Sequence, residues 1–404
     1  MAYFAGGCVR DLLLGRQAKD YDVATNARPD QVRELFGRRK TLAVGESFGV
    51  IIVLGPKPAG QVEVATFRTD GEYHDGRRPT HVEFCSPEED AQRRDFTING
   101  MFYDPIDTRI LDYVGGEHDL AARVIRAIGD PHARMTEDKL RMLRAVRFTA
   151  TLEFDLDPAT ADAIRVMADQ LHAVSAERIA QELHKMLLDR HRRRAVSLCD
   201  ELGLLRVIFP RLVCPDEYDQ KHFVYSPWSL EKTGSMLAFL DEPSFPLALA
   251  VLLRSLSADV VGWIGRRLRL SNDEIDRAQW LVIHQDDLRD EKRVSLAEFK
   301  RLMSHPYRDD LLAFLRVKLL AEGADLGPVL FSEQFLATTP LEVINPPPLI
   351  SGNDLIRQGL KPGPTFKLLL EQIRDAQLNE EIATAAEALV LARRLQDSPP
   401  TGTP

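Results

Sequence analysis

The hydrophobic pattern changes period once, near Asp130-Pro131, and that change constrains the fold more than any other feature of the chain. Before it, short runs of β character alternate with turns: Gly49-Val-Ile-Ile-Val-Leu, Gln61-Val-Glu-Val-Ala-Thr-Phe and Arg109-Ile-Leu-Asp-Tyr-Val, with a helical stretch from Pro29 to Phe36 among them. After it the β-runs stop. Apolar residues then recur at helical spacing through Leu140, Leu143 and Val146, and again through Ile179, Leu183, Met186 and Leu187. The expectation is an α+β segment followed by an all-helical remainder, and 404 residues are too many for one ordinary core. Asn345-Pro-Pro-Pro reads as a linker before a last helical unit, and Ser398-Pro-Pro-Thr-Gly-Thr-Pro as a disordered tail.

Hydrophobic residues at 44% and charged residues at 28% fit a folded cytosolic protein. No window approaches the roughly 18 unbroken apolar residues of a membrane span, so no membrane partner is expected. Met1-Ala-Tyr-Phe-Ala-Gly-Gly has neither a cationic n-region nor an apolar h-region, which argues against a secretory signal and for the cytoplasm. Cys8, Cys85, Cys199 and Cys214 form no CxxC pair and read as reduced packing residues. A net charge of −9 argues against a nucleic acid partner unless charge is segregated. The cations do cluster, at Arg38-Arg39-Lys40, Arg77-Arg78, Arg93-Arg94, Arg190-His-Arg-Arg-Arg194 and Arg266-Arg-Leu-Arg269, although each cluster alone reads as a solvated face. Nothing in the pattern sets an oligomeric state.

Lys19-Asp20-Tyr21-Asp22-Val23 puts two carboxylates at i and i+2, and on a strand these leave the same face, roughly 6.5–7 Å apart. Such a pair suits Mg2+, which prefers carboxylate and phosphate oxygens and can serve a two-ion phosphoryl displacement. Alone, a DxD is more often an ordinary surface strand or turn. Upstream, however, Gly6-Gly7 precedes Arg10-Asp11, a glycine turn followed by a guanidinium, which are the parts needed to hold a triphosphate. Glu63 alternates with Val62 and Val64 and is placed either beside the aspartates or as a plain exposed strand carboxylate. Downstream, Asp138 and Arg141 would share a helix face at i and i+3. A carboxylate acceptor beside an arginine donor matches the Watson–Crick edges of cytosine and adenine; an intrahelical ion pair is the plainer alternative. Arg144 and Arg147, further along, read as phosphate contacts or solvated side chains.

Gly6-Gly7-Cys-Val-Arg10-Asp11-Leu-Leu-Leu-Gly followed by Asp20-Tyr-Asp22-Val-Ala-Thr resembles the first motif of the bacterial-type (class II) CCA-adding enzyme and poly(A) polymerase family, within the DNA polymerase β nucleotidyltransferase superfamily. Arg93-Arg94-Asp95-Phe-Thr-Ile-Asn99-Gly-Met is similar to its second motif, which implies that Arg94, Asp95 and Asn99 contact ribose and triphosphate. Gly115-Gly116-Glu-His-Asp119-Leu resembles the hinge-like third, Glu137-Asp138-Lys-Leu-Arg141-Met-Leu-Arg144-Ala-Val-Arg147-Phe the fourth, and Glu177-Arg178-Ile-Ala-Gln-Glu182-Leu the fifth. The resemblance implies a polymerase-β-like head of mixed sheet and helices over 1–128, a helical neck over 129–190, a helical body over 191–344, a tRNA-binding tail over 345–396 and a disordered 397–404. It implies transfer of CMP and AMP from CTP and ATP to the tRNA 3′ end, with Asp20, Asp22 and Glu63 catalytic and Asp20 and Asp22 as Mg2+ ligands. Nucleotide would be held by Gly6, Gly7, Arg10, Arg94, Asp95, Asn99, Asp138, Arg141, Arg144 and Arg147. Addition of the terminal A alone, poly(A) synthesis, and non-catalytic RNA binding are the rival readings.

The glycine-rich stretch from Arg68 to Pro79 is expected to be a mobile loop, and in the relatives such a loop helps switch the pocket from cytidine to adenosine. Phe245-Pro-Leu-Ala-Leu-Ala-Val-Leu-Leu-Arg254-Ser255 resembles part of an HD phosphohydrolase domain, but Arg254-Ser255 stands where the His-Asp pair should be and Leu230 or Glu231 where an upstream histidine should be. No phosphohydrolase activity is expected, and His222 and His284 read as structural. Leu349-Ile-Ser-Gly352-Asn-Asp354 and the helix beyond it are similar to the tail that contacts the tRNA elbow. Relatives usually carry a helix before the first strand; here the first strand follows Met1 at once, so either the start lies upstream or that strand is unsupported at one end.

Overall fold

The computed structural model describes residues 1–43, 48–56, 60–70, 82–213, 229–290, 294–359 and 364–397. Residues 71–79 of the expected loop, Cys214, His222 and the tail from Ser398 lie outside the described residues. The chain divides into two compact units, the first made of described residues 1–213, 229–230 and 263–271, the second of 231–262 and 272–397.

The first unit opens with β1 (Ala2–Ala5), α1 (Gly7–Leu13), β2 (Asp22–Thr25), α2 (Pro29–Phe36), β3 (Thr41–Leu42), β4 (Val50–Leu54), β5 (Gln61–Thr66), β6 (Arg68–Asp70), β7 (Val82–Phe84), α3 (Pro87–Gln92), β8 (Phe102–Asp104), β9 (Arg109–Leu111), α4 (Gly116–Ala122) and β10 (Val124–Ile125). The sheet order is β3-β4-β5-β2-β1-β8-β9. Only β2 and β5 run parallel within it, so the sheet is mixed as expected. Alternation along β4 and β5 sends Ile51, Val53, Val62 and Val64 against Val32 of α2, which forms one core. On the opposite face Tyr3, Ala5, Ala24, Phe67, Ala91 and Phe102 form the other.

The helical part follows as α5 (Pro131–Glu137), α6 (Leu140–Leu152), α7 (Pro158–Met167), α8 (Ala176–Leu187), α9 (Arg192–Glu201), α10 (Leu204–Ile208) and α11 (Pro210–Val213). One departure from the all-helical expectation is β11 (Asp155–Leu156), which pairs parallel with β10 and ties the end of α6 back to the first segment. Leu140, Leu143, Val146, Ile179, Leu183, Met186 and Leu187 are all buried, as their spacing requires. The arginine clusters are less uniform than a solvated face. Arg192 is buried and donates to the Leu187 carbonyl at 2.8 Å, and Arg267 donates to the Ile208 carbonyl at 2.7 Å, so both close helix ends instead of facing water.

The remaining helices are α12 (Leu230–Phe239), α13 (Phe245–Leu253), α14 (Ala258–Arg267), α15 (Asn272–His284), α16 (Leu296–Ser304), α17 (Arg308–Glu322), α18 (Gly327–Thr338), α19 (Leu341–Ile344), α20 (Gly352–Arg357), α21 (Pro364–Leu378) and α22 (Ala385–Asp397). Every residue of α13 is buried, so it is the core helix of the second unit. Arg254 and Ser255 cap it, 9% and 0% exposed, with the Arg254 Nε and Ser255 Oγ lacking hydrogen-bond partners. His284 pairs with Asp287 at 2.6 Å and lies against the Trp280 ring, a structural setting. The last helices close their own core through Ile350, Leu355, Leu369, Ile373, Ala388 and Ala392. No helix among the described residues is long and apolar enough to cross a membrane.

Candidate active site

One large cavity, about 1330 Å³, lies within the first unit, and every residue singled out from the sequence for chemistry or nucleotide binding lines it. Ordinary small-molecule pockets measure roughly 300–1,000 Å³, so there is room for a nucleotide and part of a second substrate.

The acidic wall is set by strand register. Asp22 pairs with Glu63 across the parallel β2–β5 ladder, and partners in register project to the same face, opposite the valines of α2's core. Asp20 does not follow the strand geometry expected for it: β2 begins at Asp22, and Asp20 lies in the bend before it. The walls around Asp22 strip enough water to push its carboxyl above the ordinary range; Glu63 adds to the push, Arg94 opposes it and Asp20 adds further. Lost solvation is the larger cause, and the neighbouring carboxylates add like charge to it. Among the described residues no three His, Cys, Asp or Glu side chains converge into a ready-made metal cage. Hard-oxygen donors in pairs fit a divalent ion that draws the rest of its shell from substrate oxygens.

The same cavity is lined by arginines, most of them ion-paired to a carboxylate. Gly6 caps α1 with φ +74°, where a side chain would be strained, and a Cβ there would come within 3.2 Å of Arg94 Nη1. Arg10 donates to Asp11 at 2.9 and 2.7 Å and to Asn99 Oδ1 at 2.8 Å. Asn99 in turn donates to Asp95, which accepts Arg144 at 2.8 and 2.6 Å. Arg147 is bound by buried Glu182 at 2.5 Å and sits over the Phe148 ring. Burial works against ionisation of both Asp95 and Glu182, but the neighbouring arginines prevail, holding Asp95 at about 2 and Glu182 below its ordinary value. Arg144 and Arg147 are ion-paired and line the cavity.

The fourth motif departs from its expected geometry. Asp138 is not helical and shares no helix face with Arg141; its backbone is extended, φ −142° and ψ 104°, in a break between α5 and α6. The cause is local and tertiary at once. Its carboxylate caps the Leu140 amide at 3.0 Å, a first-turn donor with no intrahelical partner, and binds Arg178 of α8 at 3.1 and 2.7 Å. Arg141 goes elsewhere, to Glu137 at 2.6 Å and the carbonyls of Arg134 and Arg93 at 2.9 and 3.0 Å. Both side chains nonetheless line the cavity.

The third motif braces the site without facing it. A Cβ on Gly116 would lie 2.4 Å from the Thr97 carbonyl, so only glycine lets α4 approach the second motif, where Asp119 accepts the Thr97 hydroxyl at 2.8 Å. Four contributors carried no assigned role in the sequence: Asp90, Glu137, Arg178 and Glu182. Asp90 had a readable signal, lying three and four residues before Arg93 and Arg94. The Arg178–Asp138 pair, 40 residues apart, had none.

Paired carboxylates and arginines lining one cavity, on a mixed sheet joined to helices, define a nucleotidyltransferase. Family models agree: residues 2–126 match the Poly A polymerase head domain, and residues 153–214 a probable RNA and SrmB-binding site of polymerase A. The chain belongs to the CCA-adding enzyme family. It is 35% identical over 394 residues to the CCA-adding enzyme of Geobacillus stearothermophilus, covering 96% of this chain and 91% of that one. With the enzyme of Bacillus licheniformis it shares 33% over 390 residues, 96% and 92% of the two chains. The crystal structure of the Bacillus stearothermophilus CCA-adding enzyme in complex with CTP superposes with a TM-score of 0.75 at 30% identity, covering 98% of this chain and 93% of that one. Enzymes of this kind use divalent metal ions.

Proposed function

We infer that this chain adds CMP and AMP, from CTP and ATP, to the 3′ end of tRNA without a nucleic acid template. The observation that carries the reading is one cavity lined by Asp20, Asp22 and Glu63 together with Arg10, Arg94, Arg144 and Arg147. In the reaction the terminal 3′ hydroxyl attacks the α-phosphorus of the nucleotide. The hydroxyl loses its proton to water, a new P–O bond forms, the bond from the α-phosphorus to the bridging oxygen breaks, and pyrophosphate leaves. Asp20 and Asp22 are the proposed Mg2+ ligands with Glu63 beside them; the ion, when bound, acidifies the attacking hydroxyl and offsets charge on the leaving group.

The turn at Gly6 and Gly7, with Arg10 and Arg94, holds the triphosphate. Asp95 and Asn99 fix Arg10 and Arg144 and lie where a ribose can reach them. Asp138 offers an acceptor and Arg141 donors to the base edge that cytosine and adenine share, so side chains select the nucleotide. The helical body and tail are proposed to grip the rest of the tRNA, and the cytoplasm is the proposed location. The test is incubation of the purified protein with each single nucleotide and tRNAs ending at the discriminator base, the first C or the second C. CTP is expected to extend the first two and ATP only the last. Long homopolymeric tails, or extension of the last alone, would contradict full CCA addition.

A further inference from the structure

Asp90 lines no part of the cavity, yet it is 1% exposed and its carboxylate gathers more cationic donors than any acid described above. Oδ1 accepts Arg93 Nε at 2.9 Å, Arg93 Nη2 at 2.7 Å and the Arg68 amide at 3.2 Å. Oδ2 accepts Arg94 Nε at 3.2 Å and Nη2 at 3.0 Å. The two oxygens thus divide between two consecutive arginines. Local sequence produces this placement. Ser86 and Glu89 form a reciprocal capping box with Pro87 in the first turn, which fixes where α3 starts, and the helical turn then brings residues three and four further on over Asp90.

We propose that Asp90 is a positioning residue for nucleotide binding, acting through Arg94. The inference rests on the nucleotidyl-transfer reading of the cavity. Arg94 is held on two sides: Asp90 binds Nε and Nη2, and the Phe102 ring lies 4.9 Å from its Cζ, while Nη1 points to the space that Gly6, lacking a Cβ, leaves open. Nε and Nη2 being taken by Asp90, Nη1 is the nitrogen left for the triphosphate. A planar guanidinium with one edge fixed by a carboxylate presents its remaining donors in a set direction, where a loose one would swing. The alternative partner is close in charge, because Arg94 already acts electrostatically on Asp22. Without Asp90, the guanidinium has an attractive route onto the acidic wall and away from phosphate.

The experiment is steady-state CMP addition and equilibrium dialysis of CTP with the full-length protein, its Asp90→Asn variant, Arg94→Ala and the double variant. Asp90→Asn keeps the shape but removes the charge. Its KM and dissociation constant for CTP are expected to rise about tenfold to a hundredfold, with KM for tRNA changed less than about twofold. In the Arg94→Ala background the same substitution is expected to change CTP affinity by less than about twofold, since nothing remains to position. An equal loss in both backgrounds would mean a general structural role and overturn the proposal, as would a fall in kcat with CTP affinity intact. Should Asp90→Asn not fold, Asp90→Glu, which keeps the charge but alters its reach, carries the same comparison. A parent protein that binds CTP but adds no CMP would sink the reaction and leave the dialysis comparison to judge Asp90.

Discussion

Asp95 shows how the site sets the charge state of one side chain. It accepts the Phe96 amide at 2.8 Å and Asn99 at 3.2 Å as well as the Arg144 fork, and burial alone would raise its pKa. The arginine reverses that, to about 2. A folded-state value below the unfolded value of about 3.9 means stability present above pH ~4 and lost as pH falls toward ~2, roughly 2 kcal/mol in all. Urea unfolding of the parent and of Asp95→Asn should therefore converge across that window; a constant difference would show that Arg144 does not hold the carboxylate. Residues such as Asp95, Asp22 and Gly6 were legible because each lay in a motif with a chemical reason for its neighbours. Asp90 was not picked out, although its spacing to Arg93 and Arg94 was in plain sequence, because its partners read more readily as substrate contacts. Arg178 could not be, since only the packing of α6 on α8 brings it to Asp138.

At the scale of elements, β4, β5, β9 and α2 lie on the runs that periodicity marked, because each strand has one face in a core and each helix a buried stripe. The two misplacements are both short. Asp20 falls one bend short of β2, and Asp138 opens a break that a continuous fourth-motif helix would have closed. Neither break has a proline or glycine to announce it. At Asp138 a capping contact and a tertiary ion pair outweigh helix propensity, as happens when a polar side chain is needed elsewhere. The break is expected to serve base selection. Asp138→Ala removes the acceptor and leaves Arg178 without its carboxylate, so the ratio of kcat/KM for CTP over UTP is expected to fall at least about tenfold. Single-nucleotide addition measured with both nucleotides checks this, and an unchanged ratio would move base selection off Asp138.

For the whole molecule, the net charge of −9 misleads because the excess of acids lies outside the cavity, whose lining carries slightly more cations than carboxylates. The change of period at Asp130-Pro131 separates sheet from helices but does not mark the boundary of a compact unit, since α5 to α9 belong to the first unit together with the sheet. Periodicity reports local burial, and which helices share a core with which sheet depends on contacts it cannot see. Chemistry on the acidic wall and grip on a long RNA should then be separable properties of one chain. The most direct measurement is labelled CMP incorporation by Asp22→Ala into tRNA ending at the discriminator base, with tRNA affinity measured on the same preparation. Incorporation is expected to fall by about a thousandfold or more while tRNA affinity stays within about threefold. Incorporation at the parent's rate would contradict the assignment of these carboxylates, and with it the account of the site.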